Sequence, residues 1–123
     1  MSYNPKYVPK SLTKEDKKKQ IKSIKEKTDR PKLDSFESKR SSHVIKFEKK
    51  YKTKITDEKY INDNILKKKG QLEILKKGMG AYYSSGSRPN QTPESWSYAR
   101  LASVIMNGPA RKIDIKIWNK YKL

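Results

Sequence analysis

The sequence predicts an all-α protein, a small bundle of short helices carrying an extended basic N-terminal arm. Three observations lead there. From Ser42 onward apolar residues recur at three- and four-residue spacing, the period of a helix buried on one face. Nowhere do apolar and polar residues alternate convincingly at period two, as a half-buried strand requires. Residues 1–70 are lysine-dominated and poor in apolar side chains, whereas 78–108 are poor in lysine and dense in Gly, Ser, aromatics and amides. The division this implies is an arm over 1–41 that orders on a partner, and a helical domain over 42–123 with an ordered Gly/Ser-rich loop at 78–92.

Pro5 and Pro9 lie among Tyr3, Tyr7 and Val8; proline fixes φ and drives its predecessor toward extended backbone, so the arm starts extended. Thr13 with Asp16 three residues on is a weak capping signal for a helix near 14–27. Its interior apolar residues, Ile21 and Ile24, form a stripe too narrow to hold it in a core, and Asp29-Arg30-Pro31 ends it. Leu33 and Phe36 follow as isolated anchors. Val44, Phe47 and Tyr51 at i, i+3, i+7 predict the next helix. Ile55 before a Thr56 cap, with Tyr60 four residues beyond, reads as a staple opening a helix near 57–69. Ile61 and Ile65 continue its apolar face, and Gly70 is placed to close it. Leu72, Ile74 and Leu75 predict a short helix closed by Gly78. Thr92-Pro93-Glu94 offers a cap, a first-turn proline and an early acid; Tyr98, Leu101, Ala102 and Ile105 then share a face. Asn107-Gly108-Pro109 stops that helix and starts another, with Ile113, Ile117 and Tyr121 at spacing four.

Of 123 residues, 33% are hydrophobic and 36% charged, so the chain buries only a thin core. The net charge is +18, and both parts share it: 22 basic against 10 acidic residues over 1–70, and 9 against 3 over 71–123. Such an imbalance calls for nucleic acid, an acidic protein or an anionic surface. No cysteine and a single histidine, His43, exclude disulfides, thiolate chemistry and Cys- or His-rich metal sites. No apolar run approaches the roughly 20 residues of a membrane span, and the N-terminal stretch lacks the apolar segment of a secretory signal.

The candidate anion contacts are Lys17, Lys18, Lys19, Lys22 and Lys25, then Lys67, Lys68 and Lys69, with Arg88 and Arg100. Lysine is a flexible point charge suited to phosphates and acidic surfaces without sequence discrimination. In the loop, Gly78, Gly80 and Gly86 with Arg88 offer an anion cradle, but neither a dinucleotide nor a phosphate-loop pattern accompanies them. The favoured use is packing, with Tyr82, Tyr83, Trp96, Leu101 and Ile105 as core. A helix-hairpin-helix over residues 75–81 is opposed by Ser84-Ser85-Gly86. Catalysis has little support: Ser84, Ser85 and Ser87 lack an implied base, His43 lacks a partner, and Glu94 and Asp114 form no acid pair. The expectation is no enzyme, no catalytic residue, no cofactor, no metal and no small-molecule substrate.

The stretch Lys77-Gly78-x-Gly80-Ala-Tyr-Tyr-Ser-Ser-Gly-Ser-Arg-Pro-Asn-Gln-Thr92, followed by Ser95-Trp96, Ala99-Arg100-Leu-Ala-Ser103 and Ala110-Arg-Lys-x-Asp114, resembles an uncharacterised domain family. That family belongs to large double-stranded DNA viruses of eukaryotes (the nucleocytoplasmic large DNA viruses) and some bacteriophages. Tyr7–Leu12, Lys17–Lys25, Arg30-Pro31 and Ser38–Ser42 share the likeness, which therefore covers most of the chain. A glycine expected near position 53 is here Thr53, which bears only on a turn. The resemblance implies viral origin, supplies no catalytic residues, and does not by itself imply a role.

Two roles compete. The first is a minor capsid component of cement or scaffold type, its arm threading between neighbouring capsid or other virion proteins through Tyr, Pro and Ile anchors. The second is a sequence-unspecific protein on the packaged double-stranded DNA. The anchors rank the first ahead. Either places the protein in the virion, and in host cytoplasm or nucleus during assembly.

Overall fold

The computed structural model describes residues 3–36 and 40–123; Ser38 and Lys39, part of the viral likeness, and the remainder of the expected arm at 1–2 and 37 lie outside them. The protein is all-α. A 3-10 turn at Pro5–Tyr7 precedes α1 (Lys14–Glu26), α2 (Ser42–Tyr51), α3 (Glu58–Asn64), α4 (Lys68–Ser84), α5 (Pro93–Ile105), α6 (Pro109–Ile113) and α7 (Ile115–Tyr121), with no strand among the described residues. The chain divides into two compact units, Met1–Lys39 with Met79–Trp96 and Arg40–Gly78 with Ser97–Leu123. Helices α4 and α5 supply residues to both.

In the first unit Thr13 caps α1, its hydroxyl accepting the Asp16 N–H at 3.2 Å. The Asp16 carboxylate faces a different partner, accepting both the N–H and the hydroxyl of Ser35. The helix stops at Lys27, held at φ 56°, where the Thr28 N–H donates to the Ser23 carbonyl at 3.0 Å. This is the double-bonded C-terminal turn that glycine usually serves. Arg30 reinforces it, its guanidinium donating to the carbonyls of Ser23 and Thr28 and lying 4.8 Å above the Tyr82 ring. Tyr82 accepts the Arg30 N–H at 2.7 Å and donates its own proton to the Gln91 carbonyl at 2.9 Å. The Gln20 amide donates to the carbonyls of Tyr7 and Ser87; Asn90 accepts from Leu33 and donates to Leu33 and Phe36. Leu12, Ile24, Leu33 and Tyr82 are buried. The free arm expected over 1–41 is therefore not what residues 3–36 form. The apolar stripe is as narrow as the sequence indicates, and buried amide and guanidinium groups do the holding that it cannot.

The second unit has a conventional apolar core of Val44, Phe47, Ile55, Ile61, Ile65, Leu66, Ile74, Leu101, Ala102, Val104, Ile105 and Tyr121. Helix α2 buries Val44 and Phe47, and Tyr51 lies between Phe47 and Tyr60 with centroids at 4.9 and 6.3 Å. It ends at Lys52 with φ 54°, so the turn anticipated near Thr53 is present one residue earlier. Asp57, not Thr56, caps α3 by accepting the Tyr60 N–H. That helix ends at Asn64 rather than Gly70, since the Ile65 and Leu66 N–H groups both turn back to the Ile61 carbonyl. Thr92 caps α5 as predicted, accepting the Ser95 N–H at 3.0 Å with Pro93 in the first turn. Ile113, expected on the buried face with Ile117 and Tyr121, is instead 69% exposed. A break at Asp114 between α6 and α7 shifts the register of the two faces.

The glycines of α4 account for the largest difference from expectation. Neither Gly70 nor Gly78 closes a helix; both lie inside α4, and the loop shrinks to 85–92. A Cβ on Gly70 would stand 2.6 Å from the Tyr121 Cβ, and one on Gly78 2.7 Å from the Ser97 Cα. These glycines permit close approach of packed helices, a use that looks the same as a helix stop in sequence. Only Gly86, at φ +95°, serves a left-handed turn. The continuous helix also removes the helix-hairpin-helix over 75–81. Of the predicted core, Tyr82, Leu101 and Ile105 are buried, Trp96 is half-buried with its ring edge 5.7 Å from Tyr7, and Tyr83 is exposed. Tyr83 points outward because consecutive helical residues are about 100° apart, and Tyr82 occupies the inward position.

Gly78→Ala should destabilise the protein by about 1–3 kcal/mol, because backbone blocks the added methyl. Gly80→Ala, where nothing lies within 4 Å, should stabilise it by about 0.5–1 kcal/mol. Equal effects in denaturant melts would contradict the packing role of Gly78.

Candidate functional site

Helix α1 presents the most regular charged surface. Asp16, Gln20, Ser23 and Ile24 face inward. Lys14, Lys18, Lys22 and Lys25, at spacings of four and three, occupy the opposite face and are exposed. At 1.5 Å per residue the stripe runs about 16 Å. Lys17 flanks it half-buried and Lys19 lies to the other side. Lys19 and, more strongly, the Ser35 hydroxyl and N–H hold the Asp16 carboxyl below its ordinary pKa. Half-exposed Ile21 floors a shallow depression of about 310 Å³ lined by Lys18, Lys22, Lys25 and Glu26. Among the described residues no ion pair engages any α1 lysine; the pairs are Arg40–Glu48, Lys68–Glu58, Lys77–Asp114 and Arg100–Asp114. The acids Glu15 and Asp16 sit in the first turn and Lys25 in the last, which suits the helix dipole.

The other predicted contacts divide. Lys67 and Lys69 are exposed at the start of α4, and Lys68 lies 3.5 Å from Glu58. Arg88 is exposed in the loop, but Gly78 and Gly80 are helical, so the anion cradle lacks two of its three glycines. Arg100 is not a surface contact at all. Its Nε and Nη2 donate to the two carboxylate oxygens of Asp114 at 2.8 and 2.9 Å, and Asp114 is 1% exposed. Lys77 adds a third cationic contact at 3.5 Å. A planar guanidinium matches a carboxylate in a way lysine cannot, so the buried acid takes the arginine.

Sequence reasoning passed over Asp114 and Arg30. The signal for the first is a single acid among Ile113, Ile115 and Ile117; for the second, an arginine just beyond a helix end with no acid at helical spacing. Arg111 repeats the Arg30 arrangement, donating to the carbonyls of Val104 and Ile105 at the end of α5 and lying 4.2 Å over Trp118. His43 packs at Gly108, where a Cβ would stand 2.7 Å from its ring. Among the described residues no cluster of three His, Asp or Glu is placed to hold a metal, and no helix is long and apolar enough to cross a membrane.

These features define a small, basic, all-α protein in which Arg30, Arg40, Arg100 and Arg111 bind partners within the protein and most lysines are displayed. The chain belongs to a family of unknown function, DUF5824, which it matches over residues 7–116. No curated protein and no solved structure matches it.

Removing one partner from a buried ion pair strands the other, so Asp114→Ala should destabilise the protein by about 3–5 kcal/mol; an unchanged thermal midpoint would show the clamp to be dispensable. The exposed Tyr83 hydroxyl donates to Asp29 at 2.7 Å, and that bond pushes its pKa up to about 12. A raised tyrosine pKa stabilises the fold fully below about 10, the unfolded value, and this contribution is lost as pH rises through about 12. Burial raises the Tyr82 pKa as well, so ultraviolet titration should find two late-ionising tyrosines, and Asp29→Ala should move the Tyr83 one back toward about 10.

Proposed function

We propose that this protein is a non-enzymatic, sequence-unspecific DNA-binding protein of a large DNA virus, associated with the packaged genome and holding duplex phosphates on the lysine face of α1. The observation that carries the reading is the Lys14, Lys18, Lys22, Lys25 stripe, exposed and in no ion pair among the described residues. Its side chains are point charges on flexible stems, fit for phosphates rather than base edges, which arginine and amide side chains read. The amide of Gln20 and the guanidinium of Arg30 face inward. The viral setting, in the virion and earlier in host cytoplasm or nucleus, rests on the resemblance of the 77–114 stretch.

The ranking of the two roles changes at this point. The capsid role drew part of its advantage from Tyr, Pro and Ile anchors on a free arm, and of these Ile24 is buried inside the first unit while Tyr7 and Ile21 are half-buried. It survives as the second reading because Ile45, Leu72 and Leu123 are large hydrophobic side chains left exposed, which a phosphate backbone does not require. In that reading the partners are capsid or other virion proteins with acidic surfaces.

Each duplex phosphate neutralised contributes about 0.9 to the slope of log K against log salt. Replacing Lys14, Lys18, Lys22 and Lys25 with Gln should flatten that slope by up to about 3.6 while helix content is retained. A wild-type protein with no salt-dependent affinity for duplex DNA, or a variant with an unaltered slope, would overturn the assignment. Normal particle incorporation by a variant that no longer binds DNA would favour the capsid role.

A further inference from the structure

We infer that Ile113 is an apolar wedge that inserts at a base step of bound duplex DNA while Lys112 and Lys116 hold the flanking phosphates. This rests on the DNA-binding reading and adds a second, distinct contact to the α1 stripe. Ile113 is the most exposed large hydrophobic residue among those described, at 69%. A lone exposed isoleucine is ordinary; what distinguishes this one is how it is mounted. Two residues before it, the Arg111 guanidinium is fixed to the carbonyls of Val104 and Ile105 at 2.8 and 2.9 Å. One residue after it, the Asp114 carboxylate is buried and clamped by Arg100 through two bonds. Arg111 in α6 and Asp114 at its C-terminal cap are both anchored inward, and Lys112 and Ile113 between them are exposed. The chain thus maintains a buried ion pair, which an apolar residue could replace, in an arrangement that leaves an isoleucine in water. A local choice that opposes burial and is rigidly enforced is the mark of a contact surface.

The chemistry of the surroundings selects the occupant. Lys112 and Lys116 are exposed before and after it in the chain, Ile115 is 39% exposed, and neither lysine is in an ion pair among the described residues. Proteins that unstack DNA do so with single Ile, Leu, Met or Phe side chains inserted between base steps, bending the duplex by about 20–90°. A rigidly mounted isoleucine between two lysines fits that task.

The test uses the full chain and a short duplex carrying a fluorescent dye pair at its ends and 2-aminopurine at internal steps. Wild type should draw the ends together and raise the 2-aminopurine signal. Ile113→Ala should lose most of both effects while its salt slope stays as in wild type and its Kd weakens no more than about tenfold. Ile113→Leu should restore them, since shape and apolarity are what the step requires; both variants should melt as wild type does, the side chain being exposed. Persistent bending in Ile113→Ala, or wild-type binding without bending or unstacking, overturns the wedge and leaves the DNA reading standing. Absence of salt-dependent wild-type binding removes both. Unaltered DNA behaviour together with lost particle incorporation assigns Ile113 to a protein partner and overturns the wedge as well.

Discussion

With 33% of its residues hydrophobic, this chain has to close its core partly with polar atoms, and the bond that most clearly does so is the guanidinium fork. Arg30 holds the end of α1 and covers Tyr82, Arg111 holds the end of α5 and covers Trp118, and Arg100 neutralises the buried Asp114. Each guanidinium satisfies several acceptors from one rigid plane and offers an apolar face for stacking. At the ends of α1 and α5 the acceptors include the last-turn carbonyls of Ser23, Val104 and Ile105, which carry the negative end of the helix dipole. Burial lowers the Arg30 pKa, which is the cost of placing that cation inside.

That division of labour separates the two cations by role. Of 31 basic residues only five are arginines, and Arg30, Arg40, Arg100 and Arg111 each bind a partner within the protein. The lysines are displayed, with Lys68 and Lys77 the ones that meet a carboxylate among the described residues. Lysine is the more strongly hydrated cation and the one less suited to bidentate geometry, so the same physics that draws arginine inward leaves lysine for a polyanion. The net charge alone does not separate these populations. It counts Arg100 and Lys18 alike, although one is half-buried against the Asp114 carboxylate and the other stands in solvent.

Much of the fold was legible in the sequence. The all-α class, the Thr13 and Thr92 caps, the Val44–Phe47–Tyr51 face and the burial of Leu101 and Ile105 follow from local bonds or from periodicity. The lysine-rich segment was legible too, but not its face: Lys14 was not among the expected contacts, and Lys17 and Lys19 lie to either side of the stripe. Gly70 and Gly78 were read as helix ends, since nothing local distinguishes a glycine that ends a helix from one that admits a neighbour. Tyr121 and Ser97, the neighbours in question, are 51 and 19 residues away. The same holds for Gln20 and Arg30, polar residues on a segment read as an arm, whose partners Ser87 and Tyr82 lie 67 and 52 residues on.

By itself, then, the sequence determined whatever depends on a few consecutive residues or on totals: helix type, caps, charge, the lack of cysteine, and a core too thin to stand on apolar contacts alone. Tertiary structure decided which polar residues the core takes in place of the missing apolar ones. Arg100 turned from an expected surface contact to a partner of the buried Asp114, and Ile113 turned outward, because each follows from a pairing made 14 residues away. A buried guanidinium is tolerable only where its acceptors already converge, and that convergence exists in the folded chain and not in the order of its residues.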